Sequence, residues 1–130
     1  MRKKGRTKNG LAKTEAALRE LALAYPESYE EFPWGHRAIK VKGKAFTFIA
    51  LEDDRLSLSV KLPATGLSAL MLPFASPTGY GLGKSGWVTA VFSGEDVVPL
   101  EILGGWLDES YRAIAPKRLI ASMDRAKGGR

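Results

Sequence analysis

The sequence predicts an α+β domain in which helices cover one face of an antiparallel sheet. Three observations carry this. Residues 39–61 alternate apolar and polar side chains in runs separated by tight turns, the pattern of half-buried strands. The segments before and after them space their apolar residues at helical intervals. The connections between the runs are too short for parallel crossovers.

The first helix is expected to open at Thr14-Glu15, with an apolar stripe of Leu18, Leu21 and Leu23. It ends at Tyr25-Pro26, because the residue before proline resists the α region. Residues 26–35 read as a loop holding Glu27, Glu30, Glu31 and then Phe32-Pro33-Trp34-Gly35. Ile39 and Val41 alternate with Lys40 and Lys42 in a first strand. Lys42-Gly43-Lys44 turns the chain into a second, more apolar strand at 44–51. Glu52-Asp53-Asp54 forms the next turn. Leu56, Leu58 and Val60 then point inward from a third strand, 55–61. Pro63 opens a short helix to about Leu72. A loop rich in Pro, Gly and Ser follows at 73–86, then a strand at 87–92. Pro99 opens a last helix carrying Leu100, Leu103, Trp106, Leu107, Tyr111 and Ile114. Pro116 interrupts it before a final turn to about Met123. The expected order is α-β-β-β-α-β-α.

With 130 residues, the chain has the size of one domain with one core. Its 45% hydrophobic and 26% charged residues are ordinary for a globular protein. No apolar run is long enough for a membrane span, and no signal-type stretch follows the basic start. Cysteine is absent, which excludes disulfides and thiolate chemistry. A cytoplasmic, bacterial-type protein is the expectation.

The net charge of +6 divides unevenly. Residues 1–13 and 125–130 carry nine basic residues and no acid, and are expected to be flexible basic tails. Residues 14–124, the expected domain, hold eleven basic and fourteen acidic residues. Charge is also sorted by element. From Phe32 to Gly94 the basic residues are Arg37, Lys40, Lys42, Lys44, Arg55, Lys61 and Lys84. The acids of that stretch lie in one turn, Glu52-Asp53-Asp54, and the helices and their flanks carry the rest. An open sheet face would present Lys40, Lys42, Arg55 and Lys61 around Ser57 and Ser59. That combination suits phosphate contact, and lysines on exposed strands also discourage edge pairing.

Catalytic motifs fail on context. Residues 78–85 end in Gly83-Lys84-Ser85, yet Thr78 stands where a phosphate loop requires glycine, and a strand rather than a helix follows. Gly81-x-Gly83-x-x-Gly86 matches a dinucleotide pattern and fails for the same reason. His36, the single histidine, has no cysteines to complete a zinc set and no nucleophile elbow to serve. Glu27/Glu30/Glu31 and Glu52/Asp53/Asp54 lack calcium-loop spacing. No enzyme, metal or cofactor is expected. Trp106 reads as core. Trp87 either anchors the glycine loop or is exposed for stacking.

The order Tyr25-Pro26, Glu30-Glu31-Phe32-Pro33-Trp34-Gly35, Ile39-Lys40-Val41-Lys42-Gly43-Lys44-Ala45-Phe46, Leu56-Ser57-Leu58-Ser59-Val60-Lys61, Gly86-Trp87-Val88 and Leu107-Asp108-Glu109-Ser110-Tyr111 resembles the MmcQ/YjbR-like family over roughly residues 14–120. The resemblance implies a frataxin-like (CyaY-like) fold and a "double wing" that contacts double-stranded DNA. The residues expected to contact DNA are Arg37, Lys40, Lys42, Lys44, Arg55, Lys61 and Lys84, with Tyr80 and Trp87 as candidates for stacking. The loop Tyr80-Gly81-Leu82-Gly83-Lys84 departs from the Tyr-His-x-Asn-Lys type of relatives. Glycines replace an imidazole and an amide there, which takes those groups out of any base-edge contact. The alternative is a non-catalytic domain that binds a protein or a small ligand.

Overall fold

The computed structural model describes residues 2–32, 36–79 and 81–128, the side chains of 2–9, 127 and 128 excepted. Its elements are α1 (Arg2–Leu23), β1 (Ser28–Glu31), β2 (Arg37–Val41), β3 (Lys44–Glu52), β4 (Arg55–Lys61), α2 (Gly66–Ala69), β5 (Ala75–Pro77), β6 (Trp87–Ser93), α3 (Leu100–Ile114) and α4 (Lys117–Gly128). The strands form one antiparallel sheet in the order β1-β2-β3-β4-β6-β5.

The α+β class and the β2–β4 meander agree with expectation. The expected element order needs correction at both sheet edges and in the helices. β1 replaces part of a loop: Ser-Tyr-Glu-Glu has no apolar alternation, and its pairing with β2 supplies the backbone partners. β5 lies in the segment read as a loop and forms a hairpin with β6. Its three residues end in a proline, which suits an edge strand. α1 does not open at Thr14. It starts at Arg2, and the Thr14 hydroxyl donates back to the Gly10 carbonyl one turn earlier. Leu11, Leu18 and Ala22 are buried along one stripe, so the packed part of α1 begins ahead of residue 14. Leu21, expected on the stripe, is exposed. α4 extends beyond Met123 to Gly128.

The core lies between the sheet and the helices. Ile39, Val41, Ile49, Leu56, Leu58, Val60, Val88 and Phe92 point into it from alternate positions of the strands. Leu103, Trp106, Leu107 and Tyr111 meet them from α3, which confirms Trp106 as core. Gly104 and Gly105 do not break α3, because this packed stripe holds it. One irregularity shapes the sheet. Ile39 pairs with Thr47 while Lys40 pairs with Ala45, so Phe46 is an extra residue in β3. The bulge leaves both Phe46 and Thr47 fully buried. Phe46 packs edge-on against Tyr25 and Tyr111, at ring centroid distances of 6.1 and 5.2 Å.

A salt-bridge cluster ties α1 to the β1–β2 edge. Glu30 accepts from Arg19 at 2.9 Å and from Arg37 at 2.6 Å, and Arg37 also reaches Glu15 at 2.9 Å. Burial pushes the Glu30 carboxyl up, but the hydrogen bonds from Arg37 and Arg19 outweigh it and hold the group below the usual carboxylate range. A carboxyl depressed in the folded state stabilises above its unfolded value, and that contribution is lost as pH falls through the folded value. Glu30→Gln is therefore expected to cost about 1–2 kcal/mol near neutrality. Urea unfolding followed from pH 7 to pH 3 checks it: the gap between variant and parent closes below the ordinary glutamate value. A gap that stays constant with pH would contradict the assignment.

Candidate nucleic-acid interface

Helices cover one face of the sheet, and alternation exposes the other. The open face is built in rows across the strands. At one end Tyr29, Lys40 and Ala45 form one row, and Lys61 and Trp87 form another on the far side of the Phe46 bulge. The next holds Glu31, Ala38, Phe48, Ser59, Thr89 and Ser76. Ala50, Ser57 and Val91 follow, and then Glu52, Arg55 and Ser93. Hydroxyls thus occupy the centre of the face. Ser59 Oγ lies 2.7 Å from Thr89 Oγ1, which lies 2.8 Å from Thr78 Oγ1.

Antiparallel pairing sorts the charges along the strand axis. The β2–β3 turn, the end of β4 and the start of β6 meet at one end, bringing Lys42, Lys44, Lys61 and Lys84 together. The β3–β4 turn and the end of β6 meet at the other, with Glu52, Asp53, Asp54, Glu95 and Asp96. The residues expected at an interface divide accordingly. Lys44, Lys61 and Lys84 stand at the basic end without a carboxylate within 4.0 Å among the described residues. Lys40 is on the same face but pairs with Glu31 at 2.7 Å, which raises its pKa. Lys42 pairs with Glu27 at 3.2 Å. Arg55 lies on the open face at the acidic end. Arg37 points the other way: it is committed to Glu30 and Glu15 on the helix side, with Phe32 stacked on its guanidinium. Alternation from Ile39 carries this assignment, since residues 37, 39 and 41 share a face.

Trp87 requires a correction as a stacking residue. It is 8% exposed and lies against Phe48 at 5.5 Å, so its ring has no free face for a base. It anchors the start of β6 instead. Tyr80 and Trp34 lie outside the described residues. Tyr29 was missed by reading residues 26–35 as a loop. It is 39% exposed on the open face beside Lys40.

The glycine loop has a geometric explanation. β5 precedes it, and a single 3₁₀ turn, Leu82–Ser85, leads directly into β6. Gly81 and Gly86 flank that turn with φ of 80° and 88°, a region that favours glycine. A Cβ on Gly83 would come within 2.8 Å of the Pro77 side chain. The pattern Gly81-x-Gly83-x-x-Gly86 thus builds a tight return that displays Lys84.

The run Asp108-Glu109-Ser110-Tyr111 in α3 is spent on internal bonds. Asp108 accepts from the Tyr25 hydroxyl at 3.0 Å and from Arg112 at 2.8 Å. Burial, and then the hydrogen bond to Asp108, push the Tyr25 hydroxyl pKa up. Glu109 accepts from the amides of Ala64 and Thr65 at 2.7 and 3.0 Å. Ser110 Oγ accepts from the Lys61 amide at 2.8 Å and donates to the Phe46 carbonyl at 2.5 Å. The Tyr111 hydroxyl donates to the Pro26 carbonyl at 2.8 Å.

Elsewhere, an open groove of about 530 Å³ lies between α1 and α4, lined by Leu21, Tyr25, Asp108 and Met123 among others. Among the described residues no cluster of three or more His, Cys, Asp or Glu is placed to hold a metal ion. His36 is exposed just ahead of β2. No described helix is long and apolar enough to cross a membrane.

Fold and surface together define an α+β sheet domain with a polar open face that is basic at one end. A sequence model of the YjbR family matches residues 23–113, and the chain belongs to that family. The crystal structure of the Deinococcus radiodurans protein DR2400, with its DUF419 domain, is similar to it: 32% identity, 72% of each chain covered and a TM-score of 0.60. No curated protein matches the chain.

Proposed function

We propose that the chain is a non-enzymatic, cytoplasmic DNA-binding protein that grips the phosphate backbone of a duplex with the basic end of its sheet. The observation that carries this reading is the gathering of Lys44, Lys61 and Lys84, free of carboxylates, at one end of the sheet. Lysines neutralise phosphates and release counterions, and Ser57 and Ser59 add hydrogen-bond donors without bulk. In the frataxin-like, double-wing mode that the resemblance implies, the β2–β3 turn would be one projection and the 3₁₀ turn with Lys84 the other. Such contacts give affinity rather than sequence choice, because no aromatic or amide side chain of the described residues is set to read base edges from the glycine loop. The alternative, a non-catalytic small-ligand domain, would use the α1–α4 groove, where Asp108 and the Tyr25 hydroxyl already satisfy each other.

The test is fluorescence anisotropy of a labelled 20-base-pair duplex against salt, with full-length parent and Lys44→Glu/Lys61→Glu/Lys84→Glu. A second background, with Arg2, Lys3, Lys4, Arg6 and Lys8 changed to Gln, removes the contribution of the basic start. The slope of log K against log salt is expected to lose about 0.9 for each lysine, roughly 3 in all. Equal slopes for parent and triple variant in both backgrounds would overturn the reading.

A further inference from the structure

The basic end carries its own counter-charge. Glu27, just before the edge strand β1, and Glu31, its last residue, hold Lys42 and Lys40, which would extend the free set. Glu31 reaches Lys40 at 2.7 Å, and Glu27 reaches Lys42 at 3.2 Å. Glu27 also takes Arg118 of α4 at 3.5 Å. Its backbone sits at φ 58°, in the left-handed region that few non-glycine residues adopt. Hydrogen bonds from Lys42 and then Arg118 hold its carboxyl below the usual range. Glu31 and Glu27 side chains are about half exposed (50% and 47%). Exposed pairs of this kind are weak, so an incoming phosphate can exchange with the carboxylate.

We propose that Glu27 and Glu31 are an intramolecular competitor for phosphate: they occupy Lys42 and Lys40 in the free protein and reduce its affinity for polyanions. This rests on the phosphate-binding reading of the same surface and names what regulates it. The physics separates it from a plain net-charge effect. A lysine that leaves a carboxylate for a phosphate still displaces a cation from the DNA, but the vacated carboxylate takes one up, so the net release is near zero. Freed from the carboxylate, it adds its full share to the salt dependence. Any process that neutralises or displaces the two glutamates therefore raises affinity and steepens the salt slope together.

The experiment uses the full chain, a labelled duplex of 20 base pairs, and two charge-matched variants. Glu27→Gln/Glu31→Gln removes the proposed competitor. Asp53→Asn/Asp54→Asn removes two charges from the acidic end, where asparagine tolerates the positive φ of both residues (47° and 65°). The first variant is expected to bind several-fold more tightly than the second, with a salt slope steeper than the parent's by about 1.8, two lysines' worth. Identical slopes for the two variants overturn the inference while leaving duplex binding intact. If the parent is silent and only the glutamine variant binds, the competitor is complete and the inference stands. If no form binds, the phosphate-binding reading itself falls, and this inference with it. A second readout needs no DNA. Lysine ammonium resonances of Lys40 and Lys42 should exchange with water faster in the glutamine variant. Unchanged exchange would show that the pairs do not hold in solution and would sink the proposal.

Discussion

Phe46→Ala is expected to cost about 3–5 kcal/mol of folding free energy, the loss typical of a large aromatic removed from a packed core. The ring is fully buried, and its two aromatic neighbours cannot close the gap. Tyr25 and Tyr111 are stacked on each other at 4.7 Å. Their hydroxyls are fixed at Asp108 and Pro26. The bulge holds the Phe46 backbone between paired neighbours on either side. Urea unfolding measures the loss, and Phe46→Leu should recover more than half of it. A cost below about 1 kcal/mol would mean that the site collapses freely, contrary to the rigid frame described for it.

Ser110→Ala should be the second most damaging change. The hydroxyl is fully buried and serves two strands at once, through the Lys61 amide and the Phe46 carbonyl. Alanine leaves both backbone groups buried without partners, at about 1–2 kcal/mol each, so a total near 2–4 kcal/mol is expected. Local opening adds a specific signature: the Lys61 amide should exchange with solvent much faster than the amides of Leu56 and Leu58 in the same strand. If Lys61 keeps its protection, the serine is not what holds the end of β4.

Much of the fold was legible because alternation survives from Ile39 to Val41 in β2 and through all of β4, where Leu56, Leu58 and Val60 point inward and Arg55, Ser57, Ser59 and Lys61 outward. β1 and β5 were not legible. Ser-Tyr-Glu-Glu and Ala-Ser-Pro carry no apolar period, and both exist as strands because a neighbouring edge offers hydrogen bonds, which no local pattern records. The start of α1 was misjudged because Gly5, Gly10 and a run of cations look like a tail; Leu11 was the signal that packing begins earlier. For the candidate site, the phase of Lys40, Arg55 and Lys61 followed from their strands. Whether Lys40 and Lys42 are free depends on Glu31 at the end of β1 and Glu27 just before it, nine and fifteen residues away in sequence. Hence Lys40 and Lys42 looked equivalent to Lys44, although each has a glutamate on it. Arg37 was misleading for a related reason. Its charge is answered by α1, a long-range contact no strand pattern announces.

The bonds made by α3 also set when the domain can finish folding. Asp108 reaches a partner 83 residues away, Glu109 one 45 away, Ser110 one 64 away and Tyr111 one 85 away. None can form until the sheet has already brought those distant segments together, so the entropy of closing long loops is met before α3 returns any energy. The hairpins from β2 to β4 are local and can form early. The last helices then act as the latch. A chain that stops short of Pro99 would lose the element that locks its strands, and a nascent chain would remain open until α3 had been made.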